Sequence, residues 1–149
     1  MNRSTGYIEL ALLVILICTY GFTTYQRNFI WKDNMSLWTD IVEKSPNKAR
    51  GYNELGVAYH KVGELDNAIM QYKKSLSLNP FSANAHNNIG ISYFDKGLVD
   101  KAISHFKHAI EINPSHADAH YNLGVAYGDK GFINMANEEI RMGMTLRKR

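Results

Sequence analysis

This chain has little of what staples a fold, binds polyanions or drives covalent chemistry. A single cysteine, Cys18, excludes an internal disulfide and says nothing of redox compartment. No low-complexity segment interrupts the 149 residues, and no glycine-rich run resembles a phosphate loop. Charge of one sign is scarce as well. Residues 1–46 hold four basic and four acidic side chains; residues 47–149 hold thirteen and ten, and Arg147-Lys148-Arg149 accounts for that whole excess. A nucleic-acid groove needs a continuous basic stripe, so nucleic acid is not an expected partner. Prolines number only three, yet Pro46, Pro80 and Pro114 are evenly spaced.

That spacing belongs to a longer pattern. Ala49, Leu55, Gly56, Tyr59, Gly63, Ala68, Tyr72 and Pro80 recur at the same interval as Ala83, Ile89, Gly90, Tyr93, Gly97, Ala102, Phe106 and Pro114. A third pass gives Ala117, Leu123, Gly124, Tyr127, Gly131, Ala136 and Ile140. Self-similarity at such a period marks a solenoid, in which each unit buries its apolar face only on a neighbour. The Leu-Gly-x-x-Tyr…Ala…aromatic…Pro spacing resembles the tetratricopeptide repeat. That resemblance implies an all-α, right-handed solenoid of three helix pairs (49–82, 83–116, 117–149) that binds rather than catalyses.

The physics of the repeated positions agrees. Gly56, Gly90 and Gly124 lie inside helical patterns, where glycine costs roughly 1 kcal/mol against alanine. They therefore predict close helix approach, with Ala68, Ala102 and Ala136 as the matching small surface. Gly63, Gly97 and Gly131 predict helix C-caps. Asp66 and Asp100 predict acceptors for orphan N–H groups at the next helix start. Tyr59/Ile69/Tyr72 and Tyr93/Ile103/Phe106 form apolar seams at spacings of three, four and seven. In the third unit Asn137 replaces Ile69 and Ile103, and Gly143 replaces Ser75 and Ala109. With no polar helix after it, this last helix is expected to fray at a basic end that complements its dipole. Self-association through its Met142, Met144 and Leu146 end is the alternative.

The front of the chain is different material. Leu10 to Gln26 carries no charge, Leu10–Cys18 is almost wholly aliphatic, and Glu9 and Arg27 bracket the run. Tyr7, Tyr20, Phe22 and Tyr25 sit at its margins, as in the aromatic belt of a spanning helix. Seventeen uncharged residues are at the short end for a bilayer core of ~30 Å. No small-x-small cleavage site follows Cys18. Residues 7–26 are thus expected to be an uncleaved single-span anchor, and residues 27–48 a juxtamembrane linker. Leu37, Trp38, Ile41 and Val42 give that linker a short amphipathic helix, with Asp33 or Asn34 as N-cap, placed to cap the solenoid as a half-repeat. Arg27-Asn28, Trp31, Asp33, Leu37-Trp38 and Ser45-Pro46-Asn47-Lys48-Ala49-Arg50 resemble the junction between the last membrane helix and the repeats of O-mannosyltransferase-like membrane glycosyltransferases. That similarity implies repeats outside the cytosol. It does not bring the enzyme, whose many spanning helices cannot fit here.

Histidines invite a metal reading and mostly fail it. His116 and His120 are four apart, but the Glu of a His-Glu-x-x-His motif is absent. His86 and His120 replace Tyr52 in the repeat and read as packing residues; His105 and His108 read as solvated surface. No metal or cofactor is expected. Binding is expected instead on the inner curve, which the first helix of each pair lines. Asn53, Asn87 and Tyr121 stand there in one row and Glu54, Asn88 and Asn122 in the next, followed by Val57, Ile91 and Val125, with Phe94 beyond. An amide both donates and accepts, which suits the backbone of an extended peptide. The second and third repeats resemble those of the O-linked N-acetylglucosamine transferase, whose superhelix uses an asparagine ladder in this way, and Asn88 and Asn122 match two of its rungs. The clamp of chaperone-tail binders is disfavoured, because Asp118 and Asn122 occupy places where basic residues would be wanted. The expected partner is a protein or extended peptide segment.

Overall fold

The computed structural model describes residues 12–17, 19–20 and 34–148. A short helix α1 (34–44) precedes six more: α2 (Ala49–Lys61), α3 (Leu65–Leu78), α4 (Ala83–Asp95), α5 (Val99–Ile112), α6 (Ala117–Asp129) and α7 (Ile133–Leu146). Contacts are strongest within the pairs α2/α3, α4/α5 and α6/α7, and next strongest between α3 and α4 and between α5 and α6. Three helix hairpins therefore stack in chain order.

The two glycine sets act as their spacing predicts. Gly63, Gly97 and Gly131 have φ of 84°, 73° and 80°, the left-handed region that other residues enter at a cost. Gly56 and Gly90 lie under the aromatic rings of the partner helices: an added Cβ would stand 2.5 Å from Tyr72 Cε1 or Phe106 Cε1. The aromatic ring, more than the small alanine surface, is what demands glycine in the first two pairs. At Gly124 a Cβ would meet Ile140 Cγ1 at 2.7 Å and the α7 backbone too, with Ala136 O at 2.8 Å, so here α7 itself comes close. Around these contacts Ala68, Tyr72 and Ile89 form one buried cluster, and Ala102, Phe106, Leu123, Tyr127 and Ala136 form the next.

Helix starts depart from expectation. Neither Asp66 nor Asp100 caps α3 or α5 with its side chain. Asp66 pairs with Lys96 of the following hairpin, and Asp100 with Lys130 at 2.8 Å. A carboxylate near a helix N-terminus has a choice of donors, and stacking brings a lysine into reach. The side-chain caps belong to α4 and α6 instead, where Ser82 Oγ and His116 Nδ1 accept from Ala85 N–H and Ala119 N–H at 3.3 and 3.2 Å.

The first and last described helices of the stack are both packed. Val42 of α1 is buried, and a Cβ on Gly51 would meet its Cγ1 at 3.1 Å, so α1 does pack on α2. Asp33 lies outside the described residues. At the other end the last helix is not frayed. Helix α7 runs to Leu146, and buried Gly143 lets it approach α6, since a Cβ there would stand 2.7 Å from Ala117 O. Arg147 Nε donates to Asp118 Oδ1 at 3.2 Å while its guanidinium lies 5.2 Å from the Tyr121 ring centroid. What looks like decay in the repeat is a tighter, pinned final pair. Residues 12–17 are helical with exposed aliphatic side chains, whereas the rest of the expected anchor, apart from residues 19–20, lies outside the described residues. Among the described residues no helix is long and apolar enough to cross a membrane.

Candidate functional site

Helices α2, α4 and α6 lie side by side, and their facing residues form the surface expected to bind. Asn88 Nδ2–H donates to Asn53 Oδ1 at 3.2 Å, and Asn122 Nδ2–H donates to Asn87 Oδ1 at 3.0 Å. The ladder is therefore diagonal: the second row of each repeat reaches back to the first row of the one before. Sequence reasoning treats these amides as free hands, but one donor of each is already used. Each of Asn88 and Asn122 thus spends one Nδ2–H on the ladder, and an amide has a second N–H and a carbonyl oxygen besides. Asn87 is buried, with 6% of its surface exposed, and acts as a rung rather than a contact surface.

Between α2 and α4 the floor opens into a pocket of about 100 Å³, lined by Val57, His60, Lys61, Tyr72, Asn88 and Ile91. Three of the expected site residues thus meet around one depression. His60 is held at its rim by Asp95, 2.8 Å from His60 Nε2. Burial, with Glu54's charge adding, pushes the Tyr72 hydroxyl above its ordinary range, so it remains neutral and protonated. Phe94 is half-buried against the second core cluster, and Val125 is exposed on α6. Tyr121 is the outlier, its ring engaged by Arg147 at the far end.

A second polar feature runs between the helices of the second and third pairs, at the slots that Tyr52 and Gln71 hold in the first. In the third pair these slots hold His120 and Glu139. His120 Nδ1 lies 2.6 Å from Glu139 Oε2 and Nε2 lies 3.0 Å from Pro114 O, so the buried imidazole has a partner on both nitrogens. The reading of His120 as simple packing is incomplete. In the second pair the slots hold His86 and His105, whose Nδ1 atoms are 3.2 Å apart. His108 joins them, its ring centroid 5.5 Å from that of His86 and 6.5 Å from that of His105. Burial, His86, His108 and Lys73 together hold the His105 imidazole down at about 4. Burial and then His108 also lower His86, with the Pro80 carbonyl and Glu111 opposing. His105 is therefore a half-buried neutral group, not solvated surface. The i,i+3 spacing gave no sign of this, because the third histidine comes from another helix. As the side chains stand, no group of three or more His, Cys, Asp or Glu among the described residues is arranged to hold a metal.

Comparison with known proteins follows the same lines. A family model described as TPR repeat matches residues 62–97 and 92–131. The protein O-mannosyl-transferase Tmtc3 of Drosophila melanogaster is 29% identical over 68 residues, 46% of this chain and 7% of that protein. Two crystal structures of MamA superpose with TM-scores of 0.72 and 0.70, each at 26% identity and over 85% of this chain, covering 74% and 69% of theirs.

Proposed function

We propose that this chain, a tetratricopeptide-repeat protein, is a membrane-tethered interaction module that holds an extended segment of a protein partner along α2, α4 and α6. The observation that carries this reading is the pocket where Val57, Ile91 and Asn88 meet. Its apolar floor takes a small or aliphatic side chain, while the unused groups of Asn88 and Asn122 bind backbone C=O and N–H on either side. Val57, Ile91, Phe94 and Val125 supply the apolar contacts of this binding mode. The recognition is neutral and backbone-directed, so it selects extended conformation more than sequence.

In this reading residues 7–26 span the membrane once and the repeats lie outside the cytosol. Support comes from the uncharged run between Glu9 and Arg27 and from the exposed aliphatic face at residues 12–17. Protease added to intact cells should then remove the repeats. Full protection until permeabilisation would place them inside. The likeness to Tmtc3 favours a second reading, in which the repeats recruit acceptor proteins for a membrane glycosylation system. A pull-down in detergent separates the two: co-purification of a polytopic glycosyltransferase supports the second, and unrelated partners lost together on substitution of Asn88 support the first.

A further inference from the structure

We infer that the pocket between α2 and α4 takes the side chain of one threonine of the bound segment, and that Tyr72 is the residue that selects it. This inference rests on the interaction reading above and gives it one sequence-selective position. The first support is the contrast between repeats. The slot of Tyr72 in the first pair holds Phe106 in the second and Ile140 in the third. The two rings lie alike, since a Cβ on Gly56 would stand 2.5 Å from Tyr72 Cε1 and one on Gly90 2.5 Å from Phe106 Cε1. Tyr72 and Phe106 are also equally buried, at 2% and 1% exposed. Phenylalanine therefore meets the packing demand of this slot, and the fold has no need of the hydroxyl. A hydroxyl in so buried a residue costs free energy unless it is hydrogen-bonded.

The second support is where that hydroxyl goes. Tyr72 lines the pocket together with Val57, His60, Lys61, Asn88 and Ile91. Among the described residues Tyr72 Oη makes no hydrogen bond, and none of their sealed side-chain N or O atoms lacks one, so this hydroxyl meets water through the pocket. Burial and the charge of Glu54 keep it protonated, which makes it a donor to whatever enters.

The third support is size and polarity. A pocket of about 100 Å³ has room for about three waters at ~30 Å³ each, close to the three heavy atoms of a threonine or valine side chain. Glu54 and Asp95 oppose an anionic side chain, and Lys61 opposes a cationic one. Threonine divides as the pocket does. Its methyl packs on Val57 and Ile91 while its hydroxyl oxygen accepts from Tyr72 Oη–H. Valine has the same shape but expels the water and leaves the tyrosine hydroxyl unpaired, and a site built to bond a hydroxyl rejects the analogue lacking it. Serine bonds the tyrosine but lacks the methyl.

Short peptides selected from a randomised library on the detergent-solubilised full chain test this. Threonine should recur at one position, and its replacement by valine should weaken binding to the wild type about five- to a hundredfold. Y72F copies the second pair's phenylalanine, so it should melt like the wild type. Its wholly apolar pocket should bind the two peptides alike or favour valine. Indifference of the wild type to the exchange, or full threonine preference persisting in Y72F, would overturn the inference. The comparison on the wild type needs no variant and decides even if Y72F fails to fold. Peptides weakened by Asn88→Ala yet indifferent to the exchange would overturn this inference alone and leave the interaction reading standing. Failure to select any peptide would overturn both.

Discussion

The second and third helix pairs carry one pattern and use it differently. In the second pair Ile103, Phe106 and Ala109 face neighbours, and α5 is covered by α6. In the third, Asn137, Ile140 and Gly143 occupy those slots. Gly143 draws α7 onto α6, Asn137 is exposed, and Ile133 and Met144 remain 58% and 51% exposed on a helix with no following pair among the described residues. The ladder of ion pairs between repeats ends in the same way. Lys96 and Lys130 answer Asp66 and Asp100, but the corresponding first lysine is Val62 and the corresponding last aspartate is Asn134. An inner repeat must satisfy two interfaces. Among the described residues the third pair meets only the pair before it, and its departures Asn134 and Asn137 fall on exposed positions.

The largest effect should come from closing the inner contact. Gly90→Leu drives a side chain into Phe106 and should destabilise by about 3 kcal/mol or more, read as a fall in melting temperature. An unchanged melt would mean that the ring does not lie over Gly90. Gly143→Ala tests the corresponding claim for the outer pair. Its Cβ would meet the backbone of Ala117, so α7 should be pushed off α6 at a cost of about 1–3 kcal/mol, and hydrogen exchange in 133–146 should rise. Were α7 merely frayed, the alanine would be neutral or would stabilise the helix.

Next in size is Gly97→Ala, which puts a Cβ at φ 73°. Nothing stands within 4 Å, so the change isolates the backbone term of about 1–2 kcal/mol.

The histidine slots give a difference in pH response between the two pairs. His105 titrates at about 4 in the fold against 6.5 for the unperturbed group. As pH falls the unfolded chain takes the proton first, so this contribution to stability is full above 6.5 and is lost on the way down to about 4. His86, His108, Lys73 and Glu111 face the same cluster and shape the curve. H105Q, carrying the residue of the first pair, should melt with a shallower loss between pH 7 and 5 than the wild type. Equal slopes would show that His105 is not held neutral by its surroundings.

The smallest effect belongs to the exposed ladder. Asp100→Asn breaks the pair with Lys130, but the Asp100 side chain is 81% exposed, so stability should change by no more than about 0–1 kcal/mol. A larger loss would make the ladder a structural tie between repeats.

Much of this was legible in the residues. Recurrence at one fixed interval marked the three pairs, and the two glycine sets had physical reasons that the backbone angles and ring contacts bear out. Which partner each polar group takes was not legible. Asp66 could cap its own helix or reach Lys96 of the next hairpin, and only the stacking of hairpins decides between them. The same holds for Asn88, whose reach back to Asn53 depends on the offset of α4 against α2, and for His105, whose neighbours lie on two helices. Val57, Ile91 and Asn88 were marked as neighbours on one surface, and they do meet at one pocket. Gly143 read as decay because absence of a side chain says nothing by itself about how near the next helix comes.

The central claim is that α2, α4 and α6 grip an extended backbone through amides left over from their own ladder. The decisive measurement is titration of a captured peptide against wild type and Asn88→Ala at low and high salt, with melts recorded beside it. Asn122→Ala makes a poor first choice, because it strips the donor from buried Asn87 and should itself destabilise by about 1–3 kcal/mol. Asn88→Ala leaves only half-exposed Asn53, which turns to water. One hydrogen bond of roughly 0.5–1.5 kcal/mol corresponds to a two- to tenfold weaker affinity, with little change in melting and little response to salt. Wild-type affinity in Asn88→Ala, or binding that falls steeply with salt and follows Arg147–Arg149, would take the site off this surface and put it on the basic tail.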